Sequence, residues 1–257
     1  MNQLNVNLPE LPYAVSEAMN RLRINIKFCG KNTRKILLTS CQPNEGKSTI
    51  SAYLWKMLAE AGFPTVLVDV DLRKSVMKTR FQMDYDDDTT MGLNHYLSGM
   101  AEYDDVVYST NIPNGYMVPC TQLLENPSAL LEDVRFKELL NTLSENYRFV
   151  IIDSPPLGSV ADGALIASLC DGAVLVVRAG TTPRTLIKQS LYEIQQSGCK
   201  LLGTVLNRAD VKGRAYGKYG YGKYGYGYGY GYGYGYEPKD KKNSSDSAAA
   251  DKNSTGK

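Results

Sequence analysis

The sequence predicts an α/β fold, a mostly parallel central sheet flanked by helices on both faces, followed by a disordered C-terminal tail. Three observations lead there. Short β-branched apolar runs recur along residues 36–206, stretches of helix length lie between them, and the composition changes abruptly after Arg214. Alternation of strand and helix is the pattern of a parallel sheet wrapped by helices, whose strands are buried on both faces and so read as continuous apolar runs.

The runs are residues 36–40 (ILLTS), 65–71 (TVLVDVD), 149–153 (FVIID), 173–178 (AVLVVR) and 201–206 (LLGTVL). Three helices are expected between them. The first covers 47–62 and stops at Gly62; the second covers 128–146, after Pro127 and with Ser128 as its cap; the third covers 183–197, from Pro183 to a stop at Gly198. Residues 72–115 carry less pattern. They hold a short helix near 92–99 and an acidic stretch, Asp84, Asp86, Asp87 and Asp88, which reads as a solvent-facing loop. His95, the single histidine, has no companion ligand in sequence and reads as structural or exposed.

With 257 residues and 43% hydrophobic content, the chain can bury one sizeable core, and its organisation divides at 1–35, 36–214 and 215–257. A net charge of +2 is too mild for a nucleic-acid partner, and none is expected. No run approaches the roughly eighteen apolar residues of a membrane span, and the start lacks a signal peptide's pattern, so a cytoplasmic location is expected. The five cysteines include no CxxC pair and suggest neither zinc nor disulfides.

The first strand runs into Ser40-Cys41-Gln42-Pro43-Asn44-Glu45-Gly46-Lys47-Ser48-Thr49, a Walker A loop at a helix start, although Cys41 stands where the pattern has its first glycine. Such a loop offers backbone N–H groups to phosphate, which makes the fold that of a P-loop nucleotidase binding ATP and Mg²⁺. Asn44, Glu45, Gly46, Lys47, Ser48 and Thr49 are its expected nucleotide contacts: Gly46 for close backbone approach, Lys47 on the β- and γ-phosphates, Ser48 on Mg²⁺, and Thr49 near the α-phosphate. Asp69 and Asp71 end the second strand two residues apart, hence on one face, and Asp153 closes the third as a Walker B acid holding Mg²⁺ directly or through water.

These motifs resemble the bacterial tyrosine kinases of capsule and exopolysaccharide synthesis, in the form whose cytoplasmic kinase is separate from its membrane activator. PNEGKST, VLVDVDLRKS, FVIIDSPP, ENPSALL and VLNR carry the likeness across roughly residues 13–215, and the tyrosine-rich end completes it. The resemblance implies that Asp69 is the base taking the tyrosine proton, that Asp71 supports the metal, and that Asn207 contacts adenine. Arg208 stacks on the base or faces solvent. The family's oligomerisation helix falls in the N-terminal segment as Glu17, Asn20 and Arg23; its middle arginine is missing, and Arg21 projects differently. At the loop, Asn44 replaces a common glycine, and asparagine tolerates positive φ.

Residues 216–236 are only Tyr, Gly and two Lys, and 237–257 are mainly Lys, Asp, Ser, Asn and Ala. Both segments read as disordered. The resemblance makes Tyr216, Tyr219, Tyr221, Tyr224, Tyr226, Tyr228, Tyr230, Tyr232, Tyr234 and Tyr236 the phosphoacceptors, modified in trans. It also implies a membrane adaptor whose cytoplasmic tail recruits the kinase to the inner face of the membrane, a cognate tyrosine phosphatase, and self-association into a ring. Two other readings are open: an ATPase switch like the cell-division-site and plasmid-partitioning proteins, and an adhesive Gly-Tyr segment. Against the first, Gln42 stands where those ATPases carry a signature lysine; against the second, alternating glycine makes ordering costly.

Overall fold

The computed structural model describes residues 3–86, 89–158 and 162–209. In chain order its elements are β1 (Gln3–Leu4), α1 (Tyr13–Phe28), β2 (Lys35–Ser40), α2 (Lys47–Glu60), β3 (Thr65–Asp69) and α3 (Met77–Arg80). There follow α4 (Leu93–Leu97), α5 (Tyr103–Val106), β4 (Tyr108–Thr110), β5 (Gly115–Val118), α6 (Ser128–Glu132) and α7 (Val134–Asn146). The chain continues through β6 (Phe149–Asp153), α8 (Asp162–Ser168), β7 (Gly172–Arg178), α9 (Arg184–Gln196) and β8 (Leu201–Asn207).

The strands form one eight-stranded sheet in the order β1-β4-β5-β3-β6-β2-β7-β8. Pairing is parallel except between β4 and β5. Because side chains alternate across a strand, each central strand feeds two cores. Leu37, Val66, Val68, Val150, Ile152, Ala173 and Leu175 pack beneath α7, α8 and α9. Ile36, Leu38, Leu67, Ile151, Val174 and Val176 pack beneath α1 and α2. The expected strands are therefore all present, with β1, β4 and β5 added at one edge. Those three are only two to four residues long, too short to show a period in sequence.

The expected boundaries shift where local hydrogen bonds decide them. Helix α2 ends at Glu60, and a Schellman turn closes it: Phe63 N donates to Leu58 O, Gly62 N donates to Ala59 O, and Gly62 sits at φ 86°. The helix expected over 128–146 breaks into α6 and α7 at Asp133, whose extended backbone (ψ 148°) and side chain cap α7 by accepting from Arg135 N. Ser128 is not a cap; it is the first residue of α6 and its hydroxyl donates to Asp162. His95 is structural, its Nδ1 accepting from Gly92 N at 3.1 Å. Asp84 and Asp86 are exposed, as expected of that loop, while Asp87 and Asp88 lie outside the described residues.

Segment 3–12 is not separate from the sheet. β1 pairs with β4, Asn7 N donates to Phe81 O at 2.9 Å, and Val6 and Leu8 are buried in the α1–α2 core. On α1, Glu17 and Arg21 are exposed while Asn20 and Arg23 are half-buried. No disulfide joins the five cysteines, of which Cys41, Cys120 and Cys199 are buried.

Under the α2 side of the sheet, Trp55 is fully buried and its indole N–H donates to Thr65 O at 3.1 Å, tying the P-loop helix to the start of β3. Trp55→Phe keeps most of the apolar volume but removes that buried hydrogen bond, a loss of about 1 kcal/mol or more. Urea unfolding followed by circular dichroism checks this, and a change within about 0.5 kcal/mol would show that the bond is dispensable.

Candidate active site

The C-terminal ends of β2, β3, β6, β7 and β8 lie along one edge of the sheet because the strands run parallel. In such sheets this edge is where ligands bind. A cavity of about 410 Å³ opens there, lined by Asn44, Gly46, Lys47, Ser48, Asp71 and Arg73, among others. The loop from Cys41 to Gly46 enters α2 through two left-handed residues, Asn44 at φ 64° and Gly46 at φ 97°. Asparagine thus holds the strained position that the sequence assigned to it.

Register places the acids. Asp69 and Asp153 are direct partners across β3 and β6. Strand β3 ends at Asp69, so Asp71 is not on the strand as expected; it lies in the turn beyond, yet its carboxylate reaches the same centre. Lys47 Nζ lies 2.9 Å from Asp71 Oδ2 and 3.5 Å from Asp153 Oδ2. Ser51 donates to Asp153 Oδ1 at 2.9 Å, and Ser75 donates a short hydrogen bond to Asp69 Oδ2. Lys47, Ser48, Asp69, Asp71 and Asp153 are all buried.

Burial drives the electrostatics. Loss of solvent pushes Asp69 up to about 8, the Asp153 charge opposite adds to the rise, and the Ser75 hydrogen bond holds it back. Asp153 also rises through burial, against the pull of Lys47. Burial works against the Lys47 ammonium, but Asp153 and Asp71 outweigh it and raise its pKa.

Three carboxylates thus face one lysine, an imbalance that a divalent cation would offset. Among the described residues no group of three or more His, Cys, Asp or Glu converges as a metal cage. Mg²⁺ typically takes one or two carboxylates and fills its octahedron with water and substrate phosphate. Ser48 and Asp71, both on the cavity wall, and Asp153, behind Lys47, are the residues that would hold it.

Other expected residues have partners of their own. The Glu45 side chain does not face the cavity: it is 3% exposed and accepts from Cys41 N and Gln42 N at 2.7 and 3.0 Å. Asn207 donates from Nδ2 to Glu45 O and accepts at Oδ1 from Arg208 N, so its side chain braces the loop. Arg208 is exposed, at φ 55°, as in the solvent-facing alternative. Thr49 accepts from Arg80 at 3.1 Å. All the expected phosphoacceptor tyrosines lie outside the described residues.

The sequence reading missed the cavity's cations, Arg73, Lys74 and Arg80. Arg73 was legible as the end of the VDVDLR run; its partner was not. That partner is Asp162, 2% exposed and 2.8 Å away, which also accepts from Ser128.

The sheet order, the loop at the start of α2 and the acids on neighbouring strand ends define a P-loop nucleotidase. Residues 33–195 match the AAA domain family. Tyrosine-protein kinase CpsD of Streptococcus agalactiae is 42% identical over 208 residues, 80% of this chain and 90% of that protein. Among solved structures, the chimerical protein CapA2B2 matches with TM-score 0.72 and 33% identity, over 80% of this chain and 92% of that one. The septum site-determining protein MinD complexed with Mg-ADP from Pyrococcus horikoshii matches with TM-score 0.57 and 26% identity, over 68% and 70%. The chain belongs to the bacterial tyrosine kinases of capsule and exopolysaccharide synthesis. Among the described residues no helix is long and apolar enough to cross a membrane.

A carboxyl whose pKa is raised on folding favours the folded state while protonated. Its stability contribution is complete below about pH 4, the unfolded value, and is lost as pH rises through about 8. Asp69→Asn stays neutral throughout. Without Mg²⁺ or nucleotide, it should match the wild type near pH 4 and exceed it near pH 8 by a few kcal/mol in urea titrations. Asp153 is present in both proteins, and its repulsion of Asp69 is part of what the substitution removes. Parallel pH profiles would overturn the electrostatic account of Asp69.

Proposed function

We propose that this kinase transfers the γ-phosphoryl group of ATP to the tyrosines of its own tail, residues 216–236, between subunits. The observation that carries the reading is the joining of Lys47 to Asp71 and Asp153, beside Asp69, at the mouth of a Walker A loop. In the transfer the tyrosine oxygen bonds to Pγ, the bond from Pγ to the bridging oxygen of ADP breaks, and the phenolic proton passes to Asp69. A bound Mg²⁺ would draw charge from the transferred group. Asp69 is suited to the base's role because burial raises its affinity for a proton, while a cation bound beside it would keep it ionised to receive one. Ser75 keeps its carboxylate aimed, and the loop's backbone N–H groups and Lys47 hold the β- and γ-phosphates. Asp71 and Asp153 would hold the metal, which would leave Lys47 to the phosphates.

The substrate tail follows β8 by a few residues. Self-association is supported by α1, where Tyr13 (81%), Val15 (45%), Ile24 (41%) and Phe28 (83%) are exposed. Full modification would place about −15 to −20 charges on a segment with two lysines, Lys218 and Lys223. Tails gathered in a ring would repel, so phosphorylation loosens the assembly and a phosphatase resets it. Recruitment to the membrane through an adaptor's cytoplasmic tail and a role in polysaccharide synthesis and export belong to the same reading, supported by the likeness to CapA2B2 and to the capsular kinases.

Lys47→Met is expected to abolish transfer, and because it leaves the buried acids without their counter-charge, circular dichroism checks that the variant is folded. Mixed with an active protein lacking residues 216–257, the Lys47→Met chain should become labelled from radioactive ATP and Mg²⁺, and mass spectrometry should place phosphate within 216–236. Wild-type labelling by purified Lys47→Met alone would overturn the site. Labelling of wild type that does not depend on concentration would overturn transfer between subunits.

A further inference from the structure

A carboxylate inside a loop built for a polyphosphate repels its ligand unless its charge is held elsewhere. Glu45 is such a residue, immediately before Gly46 and Lys47. Its Oε2 is satisfied within the loop by Cys41 N and Gln42 N. Its Oε1 accepts a short hydrogen bond from the Thr182 hydroxyl, from the turn between β7 and α9. The Thr182 proton also has Arg178 O within reach, at 3.1 Å, but a charged carboxylate is the stronger acceptor. The same hydroxyl oxygen accepts from Arg178 N at 3.2 Å, so its position is fixed by the end of β7.

The main chain of Glu45 is held from a second side. Its carbonyl accepts from Asn207 Nδ2 at 2.8 Å, and that nitrogen lies 2.2 Å from where a Cβ on Gly46 would sit. Ala179 N donates to Asn207 O at 2.9 Å, so the β7–α9 turn, the end of β8 and the loop form one hydrogen-bonded unit. Glu45 lies between the left-handed residues Asn44 and Gly46. Rotation of the 45–46 peptide would re-aim the Gly46 N–H, which a Walker A loop turns toward phosphate.

We propose that Glu45 and Thr182 form a brace that sets the nucleotide loop, acting as positioning residues for the triphosphate of ATP and not as contacts to it. The brace fixes the 45–46 peptide and carries the Glu45 charge away from the phosphates. This rests on the assignment of 41–49 as the ATP loop.

Calorimetric titration of the full chain with Mg·ATP, together with thermal unfolding, tests it. Thr182→Val should raise the Kd for Mg·ATP about tenfold, within the roughly hundredfold that an ångström of misplacement can cost, with little change in Tm. Thr182→Ser keeps the hydroxyl and should restore the wild-type Kd. Glu45→Gln should weaken binding similarly, since an amide cannot accept from all three donors, and combining it with Thr182→Val should add little more. A merely structural pair would lower Tm and leave the folded protein's Kd unchanged. That result, or equal losses in Thr182→Val and Thr182→Ser, would overturn the brace. Lys47→Met separates the two claims: wild-type Mg·ATP affinity and labelling there would sink the loop assignment, whereas loss there with unchanged Thr182→Val and Glu45→Gln would sink the brace alone.

Discussion

Three buried carboxylates facing one lysine is the constraint around which the catalytic edge is organised. Asp69, Asp71 and Asp153 are each at most 6% exposed, and a buried charge is costly unless paired or neutralised. Asp153 faces Asp69 in register, and Asp71 closes the group from the turn that follows. Lys47 reaches them only because α2 begins directly after the loop. Burial and the facing Asp153 charge raise Asp69, an imbalance that a divalent cation would offset.

Hydrogen bonds to hydroxyls supply what the single lysine cannot. Ser51, one turn into α2, donates to Asp153, and Ser75 donates to Asp69 from the segment after β3. A hydroxyl lowers the cost of a carboxylate without contributing charge, so it does not compete with a divalent ion as a second lysine would. The core behind the site makes this geometry rigid. Leu37, Val68, Val150 and Ile152 on one face and Leu38, Leu67 and Ile151 on the other are fully buried, leaving the strand ends no freedom to spread.

Much of this was legible because it lives in short runs whose chemistry is local. Apolar strands ending in Asp69 and Asp153, and a loop ending in Gly46-Lys47-Ser48, announce both sheet edge and site before any contact is known. The short edge strands were not legible, since a strand of two to four residues has no period to read. Nor was the break at Asp133, where one capping interaction outweighs a continuous helical pattern. Longer-range pairings lay further out of reach. Arg73 with Asp162 and Glu45 with Thr182 join residues 89 and 137 positions apart, and nothing in either segment names the other. Adjacency of Glu45 to Gly46 suggests a place in the nucleotide loop, but not that its side chain is held by a residue of the turn after β7.

The cations at the mouth complete the division of charge. Arg73 is fixed by Asp162, Glu125 O and Ser128, and Arg80 by Thr49, while Lys74 is exposed. Their positive charge lies on the cavity wall, where it can draw in a polyanion, yet the two arginines are tied to partners away from the carboxylate centre. Had either arginine reached Asp69 or Asp153, it would have settled the charge imbalance permanently and displaced the metal that the imbalance favours. The Arg73–Asp162 pair works against this outcome. Asp162 is almost wholly buried and needs a cation of its own, so it holds Arg73 at the rim and leaves the interior acids to Lys47. The segment after β3 thus combines two opposite tasks within a few residues: Asp71 and Ser75 serve the interior, and Arg73 and Lys74 serve the mouth.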